Sequence, residues 1–173
     1  MIFRVLLTLL LASVAQVACA QGGSDYPALQ KQADEVAKAT VANDFAKVAD
    51  YTHPKLVQKM GGRERLITRI QQAADEIKGV GVTLIGAEMG KPSQIEKIGS
   101  VIFAVLPMKM IMRMPDGKYE GQSSMMAISE DGGQQWKFLD GTIDQAHFEI
   151  LFPEVKGKVA VPTLDPEPKR IGN

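Results

Sequence analysis

Two long runs of extended character, joined by a tight turn, constrain this chain more than any other feature of its sequence. Ser100 to Met114 and Lys118 to Ser129 read as partner strands. Between them Pro115-Asp116-Gly117 supplies hairpin chemistry, with proline and aspartate early and glycine where φ turns positive. An interior proline removes a ladder donor, so a bend is expected at Pro107. Val82 to Met89 precedes this hairpin as a first strand and Ile95 to Ile98 as a short second one. Asp131-Gly132-Gly133 turns the chain again, and Gln135 to Asp140 is the last strand.

Upstream of Gly81 the apolar period is 3.6 rather than 2. Pro27 suits a first helical position, and Leu29, Ala33, Val36, Ala37 and Thr40 follow at helical spacing. Asn43-Asp44 breaks that pattern and caps a shorter helix carrying Phe45, Val48 and Ala49. His53-Pro54 ends it, because a residue before proline is pushed away from the α region. Leu56, Val57 and Met60 make another turn or two. The clearest helix carries Leu66, Ile67, Ile70, Ala73, Ala74 and Ile77 and closes at Lys78-Gly79. After the strands, Thr142 with Gln145 forms a capping-box pattern for a helix through Phe152. The charged stretch 156–173, with Pro162, Pro166 and Pro168, has no periodicity and reads as a disordered tail. Helices first and strands afterwards make residues 21–155 one α+β domain, with N-terminal helices on one face of a curved antiparallel sheet.

Residues 1–20 stand apart from this domain. One basic residue, Arg4, precedes the apolar run Val5 to Ala15, and Ala18-Cys19-Ala20 has the small-x-small form of a signal-peptidase site. The chain is therefore expected to be exported, most readily to a periplasm, after cleavage before Gln21. Acylation of Cys19 is the competing fate, but Gln16 stands where a lipoprotein signal resembles an aliphatic position. Removing these twenty of 173 residues leaves 153, with 19 basic against 20 acidic side chains and no cysteine. Thiol chemistry and thiolate-bound metals are thereby excluded from the mature product.

Balanced charge gives no electrostatic case for nucleic acid or an anionic membrane, and no second apolar stretch reaches transmembrane length. There is no glycine-rich phosphate loop, no H-E-x-x-H and no G-x-S-x-G, so no cofactor and no metal are expected.

Three further stretches carry a family resemblance: Asp44 to Pro54 (DFAKVADYTHP), Gly61 to Leu66 (GGRERL) opening a helix, and the late strand Trp136 to Asp140. On these residues the chain resembles the nuclear transport factor 2-like superfamily, which includes ketosteroid isomerases and polyketide cyclases. The resemblance spans roughly Tyr26 to Phe152. It implies a cone whose sheet curls round a pocket closed by helices, and often a homodimer joined through the sheet's outer face. It also places His53 where isomerase-like members carry an aspartate base. Histidine can accept a proton at neutral pH, whereas the expected carboxylate is absent.

The candidate site residues follow from these readings. His53 is the candidate proton-transfer group, with Asp140 and Tyr119 as possible partners, against a plain role for His53 bonding backbone in a turn. Met108, Met110, Met112 and Met114 alternate, so their thioethers share one strand face. There they line core or pocket, or, in a sharper reading, hold Cu(I). Tyr51 and Trp136 complete the expected pocket lining. Ser129 to Trp136 matches S-x-D-x-G-x-x-W, the Asp-box turn of propeller blades, but a single copy makes only a turn. Gln122 and Ser124 alternate onto one face, and His147 reads as semi-buried packing on the last helix. The function expected is binding of a small apolar or amphipathic molecule, or of a partner protein, in an apolar pocket. A cofactor-independent isomerase or dehydratase using His53 is the alternative, and copper handling by the methionines the second.

Overall fold

The computed structural model describes residues 26–141, 143–162 and 167–172. The signal-like segment 1–20, Cys19 within it, and Thr142 lie outside the described residues. Four helices come first: α1 (Pro27–Val41), α2 (Phe45–Tyr51), α3 (Pro54–Lys59) and α4 (Arg63–Gly79). The strands are β1 (Thr83–Met89), β2 (Gln94–Ile98), β3 (Val101–Met114), β4 (Gly117–Ser129) and β5 (Lys137–Asp140). Then α5 (Gln145–Leu151), a 3-10 turn (Pro153–Val155) and β6 (Lys169–Gly172) complete the chain.

The local chemistry of the boundaries is largely that read from the sequence. Pro27 and Pro54 open their helices, and Asp44 caps α2 by accepting the Lys47 N–H at 3.1 Å. Asn43, which breaks the helix before it, sits at φ 57°. The last helix differs. Its cap is Asp144, whose carboxylate accepts the His147 N–H at 2.7 Å. That is the same side-chain-to-N3 bond expected of Thr142, shifted two residues along the chain.

All strand pairings are antiparallel, in the order β1-β3-β4-β5. β2 shares one edge of β3 with β1, and β6 shares one edge of β4 with β5. The sheet curls strongly into a half-barrel, a cone-like form. Along the central pair the register runs from Ile102↔Ser129 to Met114↔Gly117 without a shift, straight through Pro107. The proline is tolerated there because its edge faces away from β4. Its carbonyl accepts the Gly90 N–H at 2.8 Å in the connection between β1 and β2, so the missing N–H points into that connection. The only register shift in the pairing of β1 lies between Leu84 and Gly86.

Alternation along β3 and β4 feeds two cores, one on each face. Ile102, Ala104, Leu106, Met108, Met125 and Ala127 pack with Leu29, Ala33 and Val36 of α1, and with Trp136 and Phe138. Phe103, Val105, Met126 and Ile128 turn the other way, onto Phe148 of α5, Phe152, Val155 and Val159. N-terminal helices thus cover one face as expected, while α5 and the segment after it cover the opposite face. Composition alone suggested an unstructured tail. In the structure Val159 of that stretch is buried, and β6 pairs with Lys118 to Glu120 of β4.

The Asp-box forms the corner that ties β5 to α1. Asp131 accepts the Gln134 and Gln135 N–H groups at 3.0 Å and the Ser129 hydroxyl at 2.9 Å. Trp136 donates its ring N–H to the Gly133 carbonyl at 3.0 Å and meets Tyr26 edge-on, with centroids 5.6 Å apart. Gly132 and Gly133 both hold positive φ, 78° and 95°. At Gly132 a Cβ would meet nothing, whereas at Gly133 it would lie 2.3 Å from the Tyr26 ring. Gly132→Ala should therefore lose about 1–2 kcal/mol from backbone strain alone. Gly133→Ala adds overpacking and should lose about 2–4 kcal/mol. Urea unfolding of the two variants side by side tests this, and equal losses would refute the close packing of Tyr26.

Candidate functional site

His53 occupies the junction of α2, α3 and β5. Its N–H donates to the Phe138 carbonyl at 2.9 Å, while Thr52 bridges Phe138 in parallel. The imidazole is only 3% exposed and meets Phe152 edge-on at 4.9 Å. Nδ1 accepts the Lys55 backbone N–H at 3.2 Å, which makes His53 the N-cap of α3. A neutral ring accepting at Nδ1 carries its proton on Nε2. That nitrogen lies 3.8 Å from the Glu130 carboxylate, beyond hydrogen-bond distance, and both residues line a cleft of about 260 Å³. His53, Pro54, Glu130, Gln135 and Lys137 are among the residues lining the cleft.

This arrangement limits the chemistry available. A general base needs a lone pair directed at substrate, yet the lone pair of His53 is held by backbone and only an N–H points into the cleft. Burial pushes its pKa below the usual histidine value, with the Glu130 carboxylate opposing, so the neutral form prevails near pH 7. The residues named as its partners are elsewhere. Asp140, exposed at the end of β5, is not among the residues lining the cleft. Tyr119 pairs with Met112, eight residues along β4 from the Ala127 that faces Phe138, which is about 26 Å at the strand rise. Its hydroxyl donates to the Asp116 carboxylate at 2.6 Å, and this bond raises its pKa. Tyr51 is held in the same way, donating to Glu35 at 2.6 Å, which pushes its pKa up to about 12. Neither phenol is a proton donor free for reaction. Among the described residues no three His, Cys, Asp or Glu side chains converge as a cation site.

The methionines are brought together. Met89 pairs with Met108, Ala87 with Met110 and Leu84 with Met112, on the face that α1 covers. Cover thins along β3: Leu106 is 0% exposed and Met108 8%, while Met110, Met112 and Met114 are half-buried. Gly121 makes room for two of them. A Cβ there would lie 2.9 Å from the Met112 methyl and 3.9 Å from that of Met110. Tyr51 packs at the margin of this core against Phe138, and Trp136 is enclosed within it.

Helix α4, which the sequence did not single out as part of a site, carries a second apolar surface that is incompletely covered. Its first turn is tied to α2 by Arg63, which donates to Asp50 at 2.8 Å. Its far end leads to Gly81, where a Cβ would lie 2.9 Å from the Pro115 ring at the tip of the β3–β4 hairpin. A helix of 17 residues spans about 25 Å between those anchors. It packs on α2 and α3 and makes no comparable contact with any strand. Of its apolar stripe only Leu66 is buried. Ile67, Ile70 and Ala74 are half-buried, and Ile77 is 51% exposed. The cue in the sequence was the stripe itself, which reads the same whether it meets core or cleft.

No family model matches this chain, and no curated protein matches it. Among solved structures, a protein from Catenulispora acidiphila, determined at 2.5 Å, is similar, with 14% identity and a TM-score of 0.47. The similarity covers 67% of this chain and 91% of that one. Likeness of this depth assigns neither a family nor a ligand.

His53 gives a pH dependence whose sign is determined by its burial. The unfolded chain, with a histidine pKa of about 6.5, takes up the proton before the folded chain does. Stability is therefore full above about pH 6.5 and declines as pH falls below it, by no more than about 1.4 kcal/mol per pH unit. The carboxylates with lowered pKa, Asp50, Asp131 and Asp144 among them, lose their contribution only at still lower pH. His53→Asn keeps a capping acceptor but no titrating group. It should flatten the unfolding free energy between pH 6.5 and 5, and an unchanged slope in denaturant titrations would refute the assignment.

Proposed function

We propose that this protein is an exported binding domain that takes a small apolar or amphipathic molecule between α4 and the methionine-bearing half of the curled sheet. The observation that carries this reading is the unfinished burial of two apolar surfaces. The stripe of α4 stays half-exposed from Ile67 onward, and Met110, Met112 and Met114 stay half-exposed on the sheet. Arg63 ties the first turn of α4 to Asp50, and the helix packs on α2 and α3 rather than on the strands. A molecule entering there would bury apolar surface at roughly 25 cal/mol per Å². Methionine suits such a wall because its unbranched, polarizable side chain fits varied shapes.

A strongly curled antiparallel sheet accompanied by helices agrees with what the resemblance to the nuclear transport factor 2-like superfamily implies, and we read the chain as a distant relative of it. The leader from Met1 to Ala20 supports export to a periplasm. Expressed with this leader in a Gram-negative host, the protein should be released with the periplasmic fraction, its mature N-terminus at Gln21. Retention in the cytoplasm with Met1 intact would refute export.

Ligand binding is tested with a polarity-sensitive naphthalene sulfonate dye and a fluorescent long-chain fatty acid. The native protein should enhance and blue-shift both emissions at saturable stoichiometry. Ile70→Glu and Met112→Glu should each weaken the fatty acid about tenfold or more, equivalent to about 1.4 kcal/mol. The control Lys97→Glu, on an exposed position of β2, should bind as the parent does. Circular dichroism confirms that the variants remain folded. Absence of saturable binding by the folded parent would overturn the reading.

A further inference from the structure

The described residues contain no cysteine, since the chain's single one is Cys19. Two-electron oxidation therefore falls on thioethers, and the structure distributes these unequally. Met125 and Met126 are 6% and 1% exposed and Met108 is 8% exposed. Met110, Met112 and Met114 are half-buried and stand two residues apart on one face of β3, a spacing of about 6.6–6.8 Å. The outermost, Met114, pairs with Gly117 at the hairpin tip, beyond Thr83, the first residue of β1. Access thus decreases inward, from the tip toward the packed core under α1.

We propose that Met110, Met112 and Met114 form a redox-sensitive wall, whose oxidation to sulfoxides releases the apolar molecule from the cleft. The proposal rests on the binding function argued above and assigns its regulation. The oxidant is hydrogen peroxide. A thioether lone pair attacks one peroxide oxygen, the O–O bond breaks and an S–O bond forms. Sulfur loses two electrons, and the second oxygen leaves as water. The product is polar and needs hydrogen-bond donors.

At Met110 and Met112 the neighbouring strands offer it none. Met110 is flanked on its paired strands by Ala87 and Gly121, and Met112 by Leu84 and Tyr119. Of these only Tyr119 has a donor, and its hydroxyl already donates to Asp116. A sulfoxide oxygen there must turn into the cleft and hold water, where an apolar ligand would otherwise lie. Gly121 sharpens the effect at Met112, because the methyl seated over it leaves no space for an added oxygen on the sheet side. The half-exposed positions can hydrate without unfolding, whereas oxidation at Met125 or Met126 would disrupt the core. Met60, half-buried at the end of α3, serves as an internal control away from this wall.

The test combines graded hydrogen peroxide, peptide mapping by mass spectrometry and titration with the fluorescent fatty acid. The expected result is oxygen uptake at Met114 and Met112 first, then Met110, with Met108, Met125 and Met126 protected. Fatty-acid affinity should fall about tenfold or more as Met112 and Met110 are modified, and recover after treatment with methionine sulfoxide reductase. The M110L/M112L/M114L variant should bind the reduced-state probe and keep its affinity in peroxide, although Met60 is still oxidised. Earlier modification of the buried methionines, or full oxidation of the wall with affinity unchanged, would overturn the switch alone. A reduced parent that binds no fatty acid would instead overturn the binding reading, and the switch with it.

Discussion

The unbroken ladder between β3 and β4 is the constraint on which the rest of the molecule depends. Strand geometry sends alternate residues to opposite faces, so a pair of strands this long must satisfy two environments at once. Over its first half it does so fully: Ile102, Ala104 and Leu106 meet α1, while Phe103 and Val105 meet α5 and Phe152. Beyond Pro107 the cover ends on the second face, where Lys109 and Arg113 are exposed, and thins to methionines on the first. One hairpin therefore serves as core at one end and as an open wall at the other. No second element has to be positioned to bring the wall into being.

The same ladder explains which features could be read from sequence and which could not. Turn and cap chemistry is local, so Pro115-Asp116-Gly117, Asp44 and the Asp-box all stand in the structure as their residue types require. The burial of both sheet faces is not local. It depends on Phe148, Phe152, Val155 and Val159 returning to Phe103 and Met126 across tens of residues, and no periodicity within the tail announces that return. The cap of α5 is Asp144, whose side chain is as able as that of a threonine to accept a first-turn N–H. Pro107 was legible as a special position, but its effect on the strand hinges on which edge it faces.

His53 shows how residue type alone misleads. A histidine beside a proline near a supposed pocket invites a catalytic assignment, and the resemblance to isomerase-like proteins strengthens that invitation. The hydrogen bond from the Lys55 N–H assigns the ring a different task, since it uses the one lone pair a neutral imidazole has. A signal for this was present: His53 directly precedes Pro54 at the first helical position, which is where an N-capping acceptor belongs. Tyr51 and Tyr119 follow the same logic, each donating to a nearby carboxylate that raises its pKa.

Helix α4 carries the argument from fold to function. Its apolar stripe has the period of a core-facing helix, yet past Leu66 the stripe is left half-exposed. Leaving Ile70 and Ala74 half-buried and Ile77 exposed forgoes stabilisation that further apolar cover would supply. Arg63 ties one end to Asp50, and just past the other end Gly81 approaches Pro115 so closely that a Cβ there would lie 2.9 Å from its ring. The proposed ligand would supply the cover that the stripe of α4 and the methionine end of β3 lack. Such an occupant is as apolar as the surfaces it covers. Because methionine adapts its shape readily but loses its apolar character on oxidation, the residues that make the wall accommodating also make it chemically vulnerable.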